Sequence, residues 1–213
     1  MIRKFLCLAV IVAMPAHAQP KTQAWRDTVT AFAEANFKHP AWGASHSRRD
    51  YALAKALAAE DHVTLDDDVL FAASMLHDMA AFPQWAQKGK DHSDAAADQV
   101  DTVLAGTDFP AAKLDAVRAA IRTHMYYRAP VAPEARYLHD ADALDWLGAI
   151  GVARQFGNAH AGTGAVRQIK SLMDMVPPEV VTPAGKARLP KLLAEDKAFL
   201  DALAQESQDF HDL

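Results

Sequence analysis

Two stretches of this chain set imidazole and carboxylate groups among apolar residues, and that pairing is where chemistry could reside. Residues 69–82 read VLFAASMLHDMAAF, apolar except for Ser74, His77 and Asp78. Residues 137–153 read YLHDADALDWLGAIGVA, apolar on most sides yet carrying His139, Asp140, Asp142 and Asp145. A helix that is apolar nearly all round is an internal one, so some of these carboxylates should be buried. An unpaired buried carboxylate is costly, and the two remedies are a basic partner or a metal ion. Arg48, Arg49, Arg122 and Arg154 could supply the partner. Imidazoles and carboxylates on separate internal helices suit a divalent cation with N and O ligands better. Adjacent His and Asp on a helix point about 100° apart, so they can share a metal only if other helices add ligands. Leu138, Asp142, Asp145 and Ala149 would share one face of their helix. Only one or two acids of that cluster can face a site, and His139-Asp140 is a decoy for His77-Asp78.

The elements that must position these groups read as helices throughout. Trp25, Val29 and Phe32 predict a first helix ending near Phe37 and Pro40, and a second runs from about Ser45 to Ala59. The third is expected to take Thr64 as N-cap, carry Asp66 and Asp67 in its first turn, and run to about Phe82 before Pro83. A fourth spans about Asp91 to Leu104, and Pro110 opens a fifth with the stripe Leu114, Val117, Ile121 and Met125. A sixth covers roughly Glu134 to Ala153, followed by a loop from Gly157 to Gly164. Val166 to Met175, a Pro177-Pro178 break and a last helix from about Leu189 to Ser207 complete the chain. With no period-2 alternation and no hairpin signal, the expectation is one all-α domain, its core at about 25–155 and a helical extension at about 165–207.

Of the 213 residues 51% are apolar and 23% charged, which excludes a disordered chain and gives material for one sizeable core. The net charge of −5 argues against binding duplex nucleic acid. Residues 1–18 read as a cleaved secretion signal: basic Arg3 and Lys4, apolar Phe5 to Met14, then Ala16-His17-Ala18. Ten apolar residues make about 15 Å of helix, half a bilayer core, so no stable membrane anchor is expected. The only cysteine, Cys7, lies in that leader. A mature chain from Gln19 would have no thiol, excluding cysteine nucleophiles, Cys-ligated zinc and disulfides. Its expected address is the periplasm or the medium.

The ordered set His46…His77-Asp78…Asp142 resembles the H…HD…D signature of the HD-domain metal-dependent phosphohydrolases. His46-Ser47-Arg48-Arg49, Leu76-His77-Asp78-Met79 and Asp140-Ala141-Asp142-Ala143-Leu144-Asp145 resemble the family's local contexts. Gly148-Ala149-Ile150-Gly151-Val152-Ala153-Arg154 and Thr182-Pro183-Ala184-Gly185-Lys186 are similar to runs in a small single-domain bacterial branch. The resemblance implies a helical bundle with His46, His77, Asp78 and Asp142 as metal ligands. Asp140 or Asp145 remains an alternative to Asp142, and buried ion pairs remain an alternative to the whole quartet. A metal-activated water would hydrolyse a phosphate ester, nucleotide or phosphodiester, with Asp78 also accepting the proton. Octahedral N/O coordination suits Mn, Fe, Co, Ni or Mg. His92 and His124, at helix ends, would be further ligands, acid/base groups or holders of a substrate phosphate. Two-metal members carry a His-His pair where this chain has His124-Met125, which leaves a second metal open. Arg49 would steer a phosphate or pair with a buried Asp. A di-iron oxygenase and a non-catalytic periplasmic protein that binds a metal or a partner are the other classes. His39, His62 and His160 lie in loop-like stretches without an assigned role.

Overall fold

Trp25, Val29 and Ala33 form the buried stripe of helix α1 (Ala24–Asn36), which packs on the helix that leads into His77-Asp78. The computed structural model describes residues 24–158 and 162–213; the expected leader and His160 lie outside the described residues. Among the described residues every regular element is helical, and no helix is long and apolar enough to cross a membrane. The centre of the bundle is α2 (Ala44–Glu60), packed against α3 (Asp67–Leu76) and α7 (Pro133–Leu144). The short α4 (His92–Gln99) and α5 (Asp101–Leu104) and then α6 (Leu114–Arg122) close the other side, α6 resting on α3, α4 and α7. Leu57, Leu70, Leu76, Ile121, Leu138 and Leu144 fill the interior between them. After α8 (Gly148–Asn158) and α9 (Gly162–Met175), the 24-residue α10 (Pro183–Glu206) returns across α8, α7 and α2.

Several boundaries differ from the sequence reading, each for a local reason. The N-cap of α3 is Asp66, not Thr64: its carboxylate accepts from the Asp68 and Val69 amides at 3.1 and 3.3 Å. The helix ends at Leu76 rather than Phe82, and a turn at His77-Asp78 leads into a short 3-10 helix, Met79–Ala81. The long helix expected over 134–153 is two, because Gly148 adopts φ +65°, a left-handed conformation that side chains disfavour. The last helix begins at Pro183 instead of about Leu189. Thr182 caps it by accepting from the Gly185 amide at 3.1 Å, and Pro183 fits the first turn, where no amide donor is needed. Pro190 sits inside the helix.

Asp140 locks that corner. Its carboxylate accepts from the Val181 and Thr182 amides at 2.9 and 2.7 Å and from the Thr182 hydroxyl. A Cβ on Gly185 would lie 2.6 Å from Asp140 Oδ2 and 2.8 Å from Thr182 Oγ1. Gly185→Ala is therefore expected to lower stability by about 1–3 kcal/mol, read as a melting point lower by roughly 3–10 °C. An unshifted melting curve would show that the corner has slack.

Candidate metal centre

Six side chains from four parts of the chain meet inside the bundle. His46 and Asp50 stand one turn apart on α2, His77 and Asp78 lie in the turn that ends α3, and Asp142 is on α7. His124 follows the end of α6; His46, Asp50, His77, His124 and Asp142 are all at most 2% exposed. His46 Nε2 lies 3.2 Å from His77 Nε2, 3.2 Å from Asp142 Oδ1, 3.2 Å from Asp50 Oδ2 and 3.5 Å from Asp78 Oδ2. Asp78 splits its carboxylate. Oδ2 is 3.4 Å from His77 Nε2, while Oδ1 faces His92 Nε2 and His124 Nε2 at 3.5 and 3.6 Å.

The ring tautomers follow from what holds the other nitrogen. His77 Nδ1 is 2.8 Å from the Ser74 carbonyl and His124 Nδ1 is 2.7 Å from the Ile121 carbonyl. A carbonyl can only accept, so Nδ1 carries the proton in both rings and Nε2 is the lone-pair atom. His46 Nδ1 donates to Asp145 Oδ2 at 2.8 Å, the carboxylate–histidine arrangement that orients ligating imidazoles. Arg154 Nη2 points at the His46 Nε2 lone pair from 3.3 Å. Lone pairs and carboxylate oxygens thus converge on one another with little to separate them. Among the described residues, Asp142 Oδ2, His124 Nε2 and both oxygens of Asp50 have no hydrogen-bond partner.

This donor set fits a metal ion. Two ligands bound at about 2.1 Å to one ion stand roughly 3.0 Å apart across a right angle and roughly 3.4 Å apart at a tetrahedral angle. The spacings of 3.2–3.6 Å fall at or close to that range. Ligand atoms of His46, Asp50, His77 and Asp142 all lie within 4.8 Å of one another, as do those of His77, Asp78 and His124.

Charge acts in the same sense. Burial opposes a charged His46 ring, yet Asp50, Asp142 and Asp145 outweigh it and raise its proton affinity well above the ordinary value. Burial alone would raise Asp142, but the hydrogen bond and charge of His46 pull it down to about 2. Asp78 is likewise held well below the carboxylate range: burial is overcome by the imidazoles of His77, His124 and His46 around it. A carboxylate so held stays ionised and available to a cation. A metal must displace the proton that His46 Nε2 would otherwise take up. Metal affinity is therefore expected to climb with pH through and above the imidazole range, about 6.5. A Mn2+ titration independent of pH there would mean that no proton leaves.

The neighbouring acids sort themselves by geometry. Asp140 is spent on the α10 corner and is no alternative to Asp142. Asp145 holds His46, Arg49 and Arg154 rather than joining the donor atoms. Arg49 gives Nε and Nη2 to the two oxygens of Asp145 at 2.9 and 2.8 Å. The structure thus shows the ion pair for Arg49, not a guanidinium offered to a phosphate. His139 is bridged between the Thr123 and Glu179 carbonyls, away from the donor atoms. His92 is the exposed member of the group: its side chain is 26% accessible against 0–1% for His46, His77 and His124.

Sequence reasoning passed over Asp50 and gave Arg154 only as one possible partner. Arg154 is buried, donates to the Ala41 carbonyl and Asp145, and stacks 3.4 Å from the Trp146 ring centroid. Trp146 also walls a cavity of about 580 Å3 that includes Met125, Tyr126, Gln155, Arg167 and Gln168. Met125 follows His124 in the chain and Trp146 follows Asp145, so the cavity and the centre share two stretches of backbone.

Residues 43–147 match the model of the HD domain family. No curated protein matches the chain. Among solved structures, the chain is similar to a predicted HD superfamily hydrolase from an uncultured Thermotogales bacterium, with a TM-score of 0.62 at 24% identity. That match covers 88% of this chain and 93% of the other. An HD-superfamily hydrolase from Bacillus thuringiensis matches with a TM-score of 0.63 at 20% identity, over 87% of this chain and 98% of that one. Bacillus subtilis YpgQ, solved in complex with ADP, matches with a TM-score of 0.61 at 17% identity, over 86% and 95%. At such identities the likeness is one of fold.

Proposed function

We propose that this chain, which carries an HD domain over residues 43–147, is a metal-dependent phosphohydrolase of small phosphate esters, nucleotides or phosphodiesters. The observation that carries the reading is the convergence of His46 Nε2, His77 Nε2, Asp78 Oδ2 and Asp142 Oδ1, two of them aimed through their own Nδ1 hydrogen bonds. These four residues would hold a divalent ion such as Mn, Fe, Co, Ni or Mg. Bound there, the ion supplies a Lewis acid that acidifies water toward neutral pH and polarises a phosphoryl oxygen.

The protein's own groups do the rest. Burial excludes water from His46, His77 and Asp142, while Asp145 fixes the His46 ring. His92 keeps part of its ring accessible. Burial disfavours its charged form, but the hydrogen bond and charge of Asp78 raise its pKa, so it can carry a proton on Nε2 to a leaving oxygen. Arg167 in the adjoining cavity offers a charge for an anionic substrate. Elemental analysis of the purified protein, followed by a screen of phosphate esters with Mn, Co, Ni and Mg, tests the reading. Absence of metal and of hydrolysis under all four would defeat it. His92→Gln is expected to lower kcat by roughly 10²-fold with metal content unchanged.

The divided carboxylate of Asp78, with His92 and His124 on Oδ1, favours a second reading in which two irons bind and oxygen is the co-substrate. Two irons per chain, oxygen consumption, and loss of one iron in His92→Gln would select it. A periplasmic or secreted location rests on residues 1–18. N-terminal sequencing of exported protein should begin near Gln19, and an intact Met1 in the cytosol would refute it.

A further inference from the structure

Asp50 takes no part in the reaction proposed above, yet it is fully buried and, among the described residues, neither of its carboxylate oxygens has a hydrogen-bond partner. It follows His46 by four residues on α2, so both side chains leave the same face of that helix. Its Oδ2 lies 3.2 Å from His46 Nε2 and 3.6 Å from His77 Nε2. With Asp142 these atoms share one sphere of mutual distances within 4.8 Å. A carboxylate that merely oriented the His46 ring would bond Nδ1, and Asp145 already does so at 2.8 Å. Asp50 instead meets the nitrogen that faces the metal position. A carboxylate buried in such surroundings keeps its charge only with a cation beside it, and among the described residues no Lys or Arg hydrogen-bonds to it.

We propose that Asp50 is itself a ligand of the cation held by His46, His77, Asp78 and Asp142, a fifth protein donor supplied by α2. The inference rests on the metal centre, not on the reaction assigned to it. Three carboxylates against two neutral imidazoles make the donor set strongly anionic and rich in oxygen, which favours hard ions such as Mn2+ and Mg2+ over softer ones. The oxygen-rich set is thereby tied to this chain's choice of ion as well as to its affinity.

The test compares wild type, Asp50→Asn and Asp142→Asn, all stripped of metal and titrated with Mn2+, and records the visible absorption of their Co2+ forms. Asp50→Asn is expected to weaken Mn2+ binding by tenfold or more and to shift the Co2+ bands. A loss below tenfold, or an unshifted Co2+ spectrum, would overturn the proposal. Asp142→Asn separates the two levels. If it too keeps wild-type affinity, the metal centre itself is wrong; if it loses affinity while Asp50→Asn does not, only the fifth donor falls. Should Asp50→Asn fail to fold, Asp50→Glu keeps the charge and moves the oxygens outward. Its Co2+ spectrum must then differ from wild type, and an identical one overturns the assignment.

Discussion

Asp78→Ala is expected to leave the purified protein without its cation and to lower hydrolysis by at least ~10³-fold, with far-UV helicity near wild type. Four imidazoles face this one carboxylate: His46 and His77 on Oδ2, His92 and His124 on Oδ1. No other residue in the centre meets all of them. Helicity should survive because Asp78 lies in the turn after α3 with φ −92° and ψ 10°, and its side chain caps nothing. Metal per chain by elemental analysis, set beside circular dichroism, decides the matter. Unchanged stoichiometry in a folded variant would remove Asp78 from the ligands and the hydrolase reading with it.

Asp145→Ala should damage the fold itself. Its carboxylate accepts from Arg49 Nε and Nη2, from Arg154 Nη1 at 3.0 Å and from His46 Nδ1 at 2.8 Å. Arg154 is 3% exposed, so its charge cannot turn to water when the partner goes. The expected loss is about 3–5 kcal/mol, or a fall in melting temperature on the order of 10 °C for a chain of this size. Burial would raise the Asp145 carboxyl, but His46, Arg49 and Arg154 hold it below the ordinary value. Because the folded pKa is depressed, the group's contribution is complete above about pH 4 and is lost as pH falls through the folded value. Wild type should therefore lose its margin over Asp145→Ala on acidification. Melting curves that differ equally at neutral and acid pH would show that packing, not charge, sets the cost.

His77, Asp78 and Asp142 stood out as polar groups in helices apolar on nearly every side, whereas His46, on the polar α2, entered only through the resemblance to the HD signature. How adjacent His77 and Asp78 could share one centre was not readable. On a continuous helix they diverge by about 100°, and it is the end of α3 at Leu76 that lets both face inward. Asp50 was missed although its signal was present, four residues after His46 on the helix face that also carries Ala54, Leu57 and Ala58. The break between α7 and α8 was hidden because residue types alone do not tell that Gly148 takes a positive φ; that conformation comes from the turn. The start of α10 was written in Thr182-Pro183, a cap followed by a first-turn proline. The fit of Gly185 against Asp140 could not be foreseen, since the two are 45 residues apart and meet only when α10 returns over α7.

The Nδ1 bonds of His77 and His124 carry a consequence beyond aim. Ser74 and Ile121, whose carbonyls receive them, belong to the last turns of α3 and α6. Peptide dipoles leave partial negative charge on the carbonyls of a final turn. Each conjugated ring relays that polarity from its Nδ1–H to the Nε2 lone pair. The poles of two helices are thereby delivered through π-systems to a single point. Substituting an aspartate there removes a donor, but it leaves this backbone field, and the electron richness of the two rings, in place.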